Sequence, residues 1–233
     1  MKKKILNYIS KTISNVFKKV IDKNDNDLNR FLILQSKIST ANYILKNCSY
    51  STFFQSKYDL YDFIINQKLI KTQYLEFGVW KGDSINYFSK HNIDINYFGF
   101  DSFEGLPESW RPGFDKGAFD LEGNIPKVNP NVKLYKGWFN ETIHVFLNNN
   151  VLSSDVFLHI DCDIYSSTKD VFDLLGKSLK GEVHILFDEY FNYPFWESHE
   201  YKAFQEFVIK NNIQYEYLAV NLNHEQVLVK IML

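Results

Sequence analysis

The sequence predicts an α/β domain, a doubly wound, mostly parallel sheet of seven strands that closes on an antiparallel hairpin. Three observations carry this. From about residue 57, short apolar runs alternate with stretches of helical spacing, the order expected of βαβ units. The early runs are apolar without clean alternation, as parallel strands buried on both faces require. The last two runs are separated only by residues 221–225, too few for a helical crossover, so they must pair antiparallel.

Taken in order, residues 5–21 place Ile5, Leu6, Ile9, Ile13, Val16, Phe17 and Val20 at helical spacing, with Lys11, Lys18 and Lys19 mostly elsewhere on the wheel. This is an amphipathic basic helix. Two readings are open for it: contact with an anionic membrane surface, or packing on its own domain or a second subunit. Residues 22–29 read as a polar linker and 30–48 as helix. The whole of 1–56 is thus expected to be a helical N-terminal extension to a domain spanning 57–233. Within that domain, 57–68 is a helix with Leu60, Phe63 and Ile64 on one face. Strands are expected at 73–79, 97–100, 132–135, 156–160, 183–187, 215–220 and 226–231, and helices at about 83–90, 140–149, 167–179 and 199–211. The connection 102–131 breaks this rhythm with many Gly and Pro residues and the aromatics Phe103, Trp110, Phe114 and Phe119. So long an irregular loop is usually functional or disordered. Its aromatics argue against disorder, which leaves a lid or a pocket wall.

Bulk properties exclude several classes. Two well-separated cysteines, Cys48 and Cys162, form neither a disulfide framework nor a zinc site, and fit a reducing cytoplasm. No apolar run approaches the roughly 20 residues of a spanning helix, and the first residues lack the pattern of a signal peptide. Residues 1–23 carry seven lysines against one aspartate, while the rest carries 19 basic against 27 acidic residues. An acidic body argues against nucleic acid as substrate. Aromatics make up 17% of the chain, which suits either a Phe-rich core or an aromatic-lined pocket.

In open α/β sheets, ligands bind beyond the carboxyl ends of the strands where strand order reverses. The polar residues expected there are Glu76 and Gly78, then Asp101, then Gly137, then Asp161 and Asp163, then Asp188 and Glu189. The turn from Gly78 to Gly82 lets backbone approach a ligand closely, with Asp83 and Ser84 placed to cap the next helix. The G-x-G-x-x-G pattern of a dinucleotide site is missing, so a nicotinamide-dependent oxidoreductase is disfavoured. An acid beside the turn complements a cationic ligand instead. Asp101, ending the second strand, can accept hydrogen bonds from both ribose hydroxyls. Asp161, Asp163, Asp188 and Glu189 would repel one another unless a cation neutralised them, and hard oxygen donors suit Mg²⁺ or Ca²⁺; the alternative is solvated acids and caps. His159 and His184, inside strands, read as core residues. His199 stands near the expected pocket, and Cys162 lacks a partner for nucleophilic chemistry.

The segments YLEFGVWKGDS, FGFDSFEGLPESW, KGWFNET, HIDCDIYSSTK and FDEYFNYPFWESHEYKAF together resemble the macrocin O-methyltransferase family of class I S-adenosylmethionine (SAM) dependent enzymes. The resemblance runs from about residue 73 to 207. It implies the class I methyltransferase Rossmann-like fold, with strand order 3-2-1-4-5-7-6 and strand seven antiparallel. It also implies SAM beside Glu76, Gly78, Gly82, Asp101, Ser102 and Asp161, with Gly137, Trp138 and Phe139 near the adenine. Metal ligands map onto Asp161 and the pair Asp188–Glu189. Here the chain departs from the family, which has two adjacent aspartates.

These readings combine into an expected reaction: methyl transfer from SAM to a hydroxyl, of a sugar in a glycan precursor or natural product, assisted by Mg²⁺. Asp161 and Asp163 are the expected catalytic carboxylates, ligating metal or taking the proton. Trp110, Tyr165, Tyr190, Trp196 and His199 are the expected substrate contacts. The expected location is cytoplasmic, with membrane contact through residues 1–23 and a homo-oligomer both open. A non-catalytic SAM-binding scaffold is the competing reading.

Overall fold

A computed structural model of the protein describes residues 28–233. The predicted amphipathic helix at 5–21, with any membrane role, lies outside the described residues, as does most of the predicted linker. The first described element, α1 (Leu28–Asn47), begins two residues earlier than expected.

Eight strands form one sheet: β1 (Thr52–Phe54), β2 (Gln73–Phe77), β3 (Asn96–Asp101), β4 (Val132–Lys136), β5 (Phe157–Ile160), β6 (Glu182–Phe187), β7 (Gln214–Asn221) and β8 (Val227–Met232). Their spatial order is β1-β7-β8-β6-β5-β2-β3-β4. β8 runs antiparallel to both β6 and β7, and all other neighbours are parallel. From β2 to β8 this is the expected order. The addition is β1, a three-residue edge strand paired with Ala219–Asn221. It sits inside the stretch 1–56 that was expected to be helical throughout, so the sheet begins before residue 57.

Helices α2 (Lys57–Asn66), α3 (Asp83–Ser89), α4 (Phe139–Asn149), α5 (Tyr165–Leu175) and α6 (Glu200–Lys210) connect the strands. Ser56 caps α2 by accepting the N–H groups of Tyr58 and Asp59. Helix α5 starts two residues before the predicted 167 and stops at Leu175, ahead of the predicted 179.

The sheet is covered on both faces, which explains its unbroken apolar strands. Leu75, Phe77, Leu158, Ile160, Ile185 and Phe187 belong to one core cluster. Tyr74, Phe157 and Leu186 belong to the other, with Leu60, Tyr61 and Ile64 of α2 and Ile85 and Phe88 of α3. Glu76 and His159 are directly opposed across β2 and β5, so their side chains share the face that carries Tyr74. From β2 the chain proceeds outward through β3 and β4, then returns to β5 and β6 on the other side. The crevice therefore opens beyond the carboxyl ends of β2 and β5.

Helix α1 is no loose extension. Tyr43 packs edge-on against Trp196, Tyr201 and Tyr217, and Thr40 Oγ1 accepts the Asn192 N–H. Among the described residues no helix is long and apolar enough to cross a membrane.

Candidate active site

A cavity of about 510 Å³ lies at that crevice. Its rear wall is the turn after β2. Gly78 has φ +90°, and a Cβ placed there would lie 1.6 Å from the Asp161 carbonyl oxygen. Only glycine lets the ends of β2 and β5 come this close. The Gly78 N–H donates to Phe100 O at 3.0 Å and the Asp161 N–H to Phe77 O at 2.9 Å. Gly82 is the left-handed N-cap of α3, which has no side-chain cap bond. Asp83 and Ser84 therefore do not cap it as expected. Ser84 Oγ donates to Glu76 Oε1 instead.

Asp101 closes β3 and organises the turn. Its Oδ2 accepts the N–H groups of Val79 and Trp80, both at 2.8 Å, and its Oδ1 accepts the Phe103 N–H at 2.7 Å. The two N–H groups fill Oδ2, and Oδ1 retains acceptor capacity toward the cavity that Asp101 lines. Ser102, Gly137, Trp138 and Phe139 line the same space, as do Leu106 and Phe119 of the long loop. That loop is thus a wall of the cavity.

The floor is acidic. Asp161, Asp163, Asp188 and Glu189 all line the cavity. Burial, then the neighbouring Asp188 charge, pushes Asp161 well above the carboxylate range and Asp163 up to about 7. The same causes push Glu189 well up. Asp188 goes the other way: burial opposes its ionisation, but the His159 imidazole holds it down at about 2. Burial likewise works against charge on His159, yet pairing with Asp188 and Glu76 raises it to about 10. One donor of each of His159, Asp161 and Asp188 falls within 4.8 Å of the other two. His159 Nε2 and Glu189 Oε2 are buried with no hydrogen-bond partner among the described residues. Such atoms are costly unless something binds them, and clustered acids with an orphaned imidazole nitrogen fit a divalent cation. Glu189, the expected third ligand, stands outside the three-donor convergence, where His159 appears in its place.

Other expected contacts are elsewhere. Glu76 is fully buried and does not line the cavity; its Oε2 accepts the Tyr74 hydroxyl at 2.5 Å and pairs with His159 Nδ1 at 3.0 Å. Trp110, Tyr165, Tyr190, Trp196 and His199, expected to touch substrate, do not line the cavity wall either. Tyr190 is a core residue sharing a hydroxyl hydrogen bond with Tyr217. Trp196 is buried under α1, with Nε1 donating to Ser39 Oγ. Tyr165, at the start of α5, donates to Glu206 of α6. Trp110 is packed under the Arg111 guanidinium at 3.8 Å, and His199 meets it edge-on. Burial lowers the His199 pKa.

Three residues escaped the sequence reading. Lys57 and Tyr61 reach the cavity from α2, and the Tyr61 hydroxyl points at Asp188 Oδ1 from 3.5 Å. Glu200, fully buried at the start of α6, accepts the N–H groups of Cys162, Asp163 and Glu189 at 3.3–3.4 Å. It ties together the loops that follow β5 and β6. A glutamate just inside a helix start was its only signal, and that commonly marks no more than a helix N-terminus.

Comparison with known proteins agrees with this geometry. A family model described as a methyltransferase domain matches residues 75–190, the stretch that supplies every acid of the floor. Among solved structures, the calicheamicin methyltransferase CalS11 is 19% identical, over 74% of this chain and 76% of that one, with a TM-score of 0.55. The O-methyltransferase NovP is 20% identical, over 71% and 73%, with a TM-score of 0.52. A Staphylococcus aureus protein described as a candidate caffeoyl-CoA O-methyltransferase is 16% identical, over 92% and 98%, with a TM-score of 0.51. No curated protein matches the chain by sequence.

Proposed function

We propose that the chain, whose residues 75–190 match a methyltransferase domain, is a SAM-dependent enzyme that methylates a hydroxyl of a sugar-containing acceptor with the help of a divalent cation. One observation carries this reading: a single cavity joins the glycine turn and Asp101 to a floor of buried acids. The first half suits the donor and the second half suits an alcohol that must lose a proton.

In this reading the ribose hydroxyls of SAM meet Asp101, whose carboxylate is already fixed by three backbone N–H groups. The adenine lies by Gly137, Trp138 and Phe139. The donor methyl points toward Asp161. The acceptor oxygen attacks in line, the new C–O bond forming as the C–S bond breaks, which leaves S-adenosylhomocysteine (SAH) and a methyl ether. The hydroxyl proton passes to Asp163, whose proton affinity burial raises. A cation held by Asp161 and Asp188, with Glu189 beside them, would lower the pKa of a bound hydroxyl. The family's Mg²⁺ is the first expectation for that ion. Alignment of donor and acceptor supplies most of the remaining acceleration.

The sugar acceptor is supported by likeness of fold to CalS11, described as a TDP-rhamnose 3'-O-methyltransferase. The test is transfer from methyl-labelled SAM to a panel of nucleotide sugars. Asp161→Asn is expected to abolish transfer and leave SAH affinity within about threefold. Wild-type turnover by Asp161→Asn would sink the catalytic assignment, and chelator-insensitive turnover would sink the cation.

A further inference from the structure

Glu76 and His159 have no place in donor binding, yet they are the most fully buried polar pair beside the cavity. Both side chains have zero exposure. Register opposes them across β2 and β5, and His159 Nδ1 lies 3.0 Å from Glu76 Oε2. Glu76 is in turn gripped from both sides, by Tyr74 Oη at Oε2 and Ser84 Oγ at Oε1. Nδ1, 3.0 Å from Glu76 and 2.8 Å from the Tyr74 hydroxyl, is thus the nitrogen already engaged, and Nε2 is the one left toward Asp188, where a cation would displace its proton. Among the described residues that Nε2 has no hydrogen-bond partner. Its nearest acid, Asp188 Oδ1, is 3.8 Å away, too far for a hydrogen bond.

We propose that His159 Nε2 is a direct ligand of the divalent cation, completing a nitrogen–oxygen set with Asp161 and Asp188, and that Glu76 is the residue that orients it. Donor atoms about 2.0–2.3 Å from one cation stand roughly 3–4.5 Å apart, and the three donors lie within 4.8 Å of one another. A metal-bound imidazole whose other nitrogen donates to a carboxylate is the recurring outer-shell arrangement of histidine metal sites. The nitrogen donor has a consequence for the choice of metal. Mg²⁺ favours oxygen donors, whereas imidazole favours first-row transition ions, with affinity rising from Mn²⁺ through Co²⁺ to Ni²⁺. The site is therefore built to prefer Mn²⁺ or a later ion over Mg²⁺. This inference rests on the cation in the proposed function and deepens it.

The test uses the full chain with Mn²⁺, read by electron paramagnetic resonance. Loss of the free Mn²⁺ signal gives the affinity, and spin-echo modulation from ¹⁴N reports a directly bound imidazole. The wild type is expected to show ¹⁴N modulation and to bind Mn²⁺ at least tenfold more tightly than Mg²⁺ in competition. His159→Gln is expected to lose the modulation. Glu76→Gln is expected to keep it while Mn²⁺ affinity falls about 10–100-fold. The wild-type measurement stands even if either buried variant fails to fold. Tight Mn²⁺ binding without ¹⁴N modulation overturns the nitrogen ligand and leaves the methyl-transfer reading intact. No Mn²⁺ binding by a protein that still binds SAH overturns the site and the cation assistance together, but not the donor site.

Discussion

Replacing Gly78 with alanine tests the donor half of the cavity most sharply. The new Cβ would meet the Asp161 carbonyl at 1.6 Å, where real Cβ atoms essentially never come within 3.0 Å. The ends of β2 and β5 must therefore part by about 1.4 Å or the turn must rotate. A left-handed alanine costs about 1–2 kcal/mol. The hydrogen bonds from Gly78 to Phe100 and from Asp161 to Phe77 are each worth about 1 kcal/mol net. Together the loss is roughly 3–4 kcal/mol, which lowers Tm by roughly 6–16 °C for a chain of this size. Any folded fraction should bind SAH at least tenfold more weakly, because the same movement displaces Val79 and Trp80, which anchor Asp101. Thermal unfolding followed by circular dichroism and calorimetric titration with SAH read the two effects separately. A Gly78→Ala protein with wild-type Tm and wild-type SAH affinity would refute the claim that this close approach builds the site.

Three further outcomes follow. Glu200→Ala leaves three buried backbone N–H groups without their acceptor, so a loss of at least about 3 kcal/mol is expected in urea unfolding; a loss under 1 kcal/mol would show that these long bonds carry little. Arg111→Met removes a two-point bond that ties the long loop to Glu225 of the β7–β8 connection, and the cation over the Trp110 ring. It should cost about 1–2 kcal/mol and raise the KM for the acceptor, whereas an unchanged KM would separate the loop from acceptor binding. Burial pushes the Cys48 thiol to about 12 and Cys162 well above the ordinary thiol range, so neither should react with a thiol reagent at pH 8 until the protein is unfolded. Rapid labelling of either native thiol would contradict the packing around it.

Much of the fold was legible because it is written in short-range patterns. Apolar runs without alternation announced strands covered on both faces, and the five-residue gap before the last strand forced the antiparallel hairpin. β1 was not legible. Three residues, Thr52–Phe54, are too few for a periodic signal, and their partners lie at Ala219–Asn221. The acids and glycines at the strand ends were found by position alone, and seven of the residues so placed line one cavity. What failed was anything that depended on non-local packing. Trp196 looks like a sugar platform until α1 covers it with Tyr43 and Ser39, and Tyr190 until the core closes on it with its hydroxyl paired to Tyr217. Glu76 looked like a ligand contact because it precedes the glycine turn, but alternation along β2 turns it away from the cavity and toward His159. His159 was rightly read as buried, yet only the register between β2 and β5 shows that one of its nitrogens is held and the other free.

The central claim is that one cavity presents a methyl donor to an acid-lined acceptor site, and a crystal structure of the full chain with SAH tests it most directly. The account predicts the ribose on Asp101, the adenine against Gly137–Phe139, and the thioether sulfur facing Asp161 with open space beyond it for an acceptor. SAH bound outside this cavity, or bound within it with its sulfur turned away from the acids, would contradict the account.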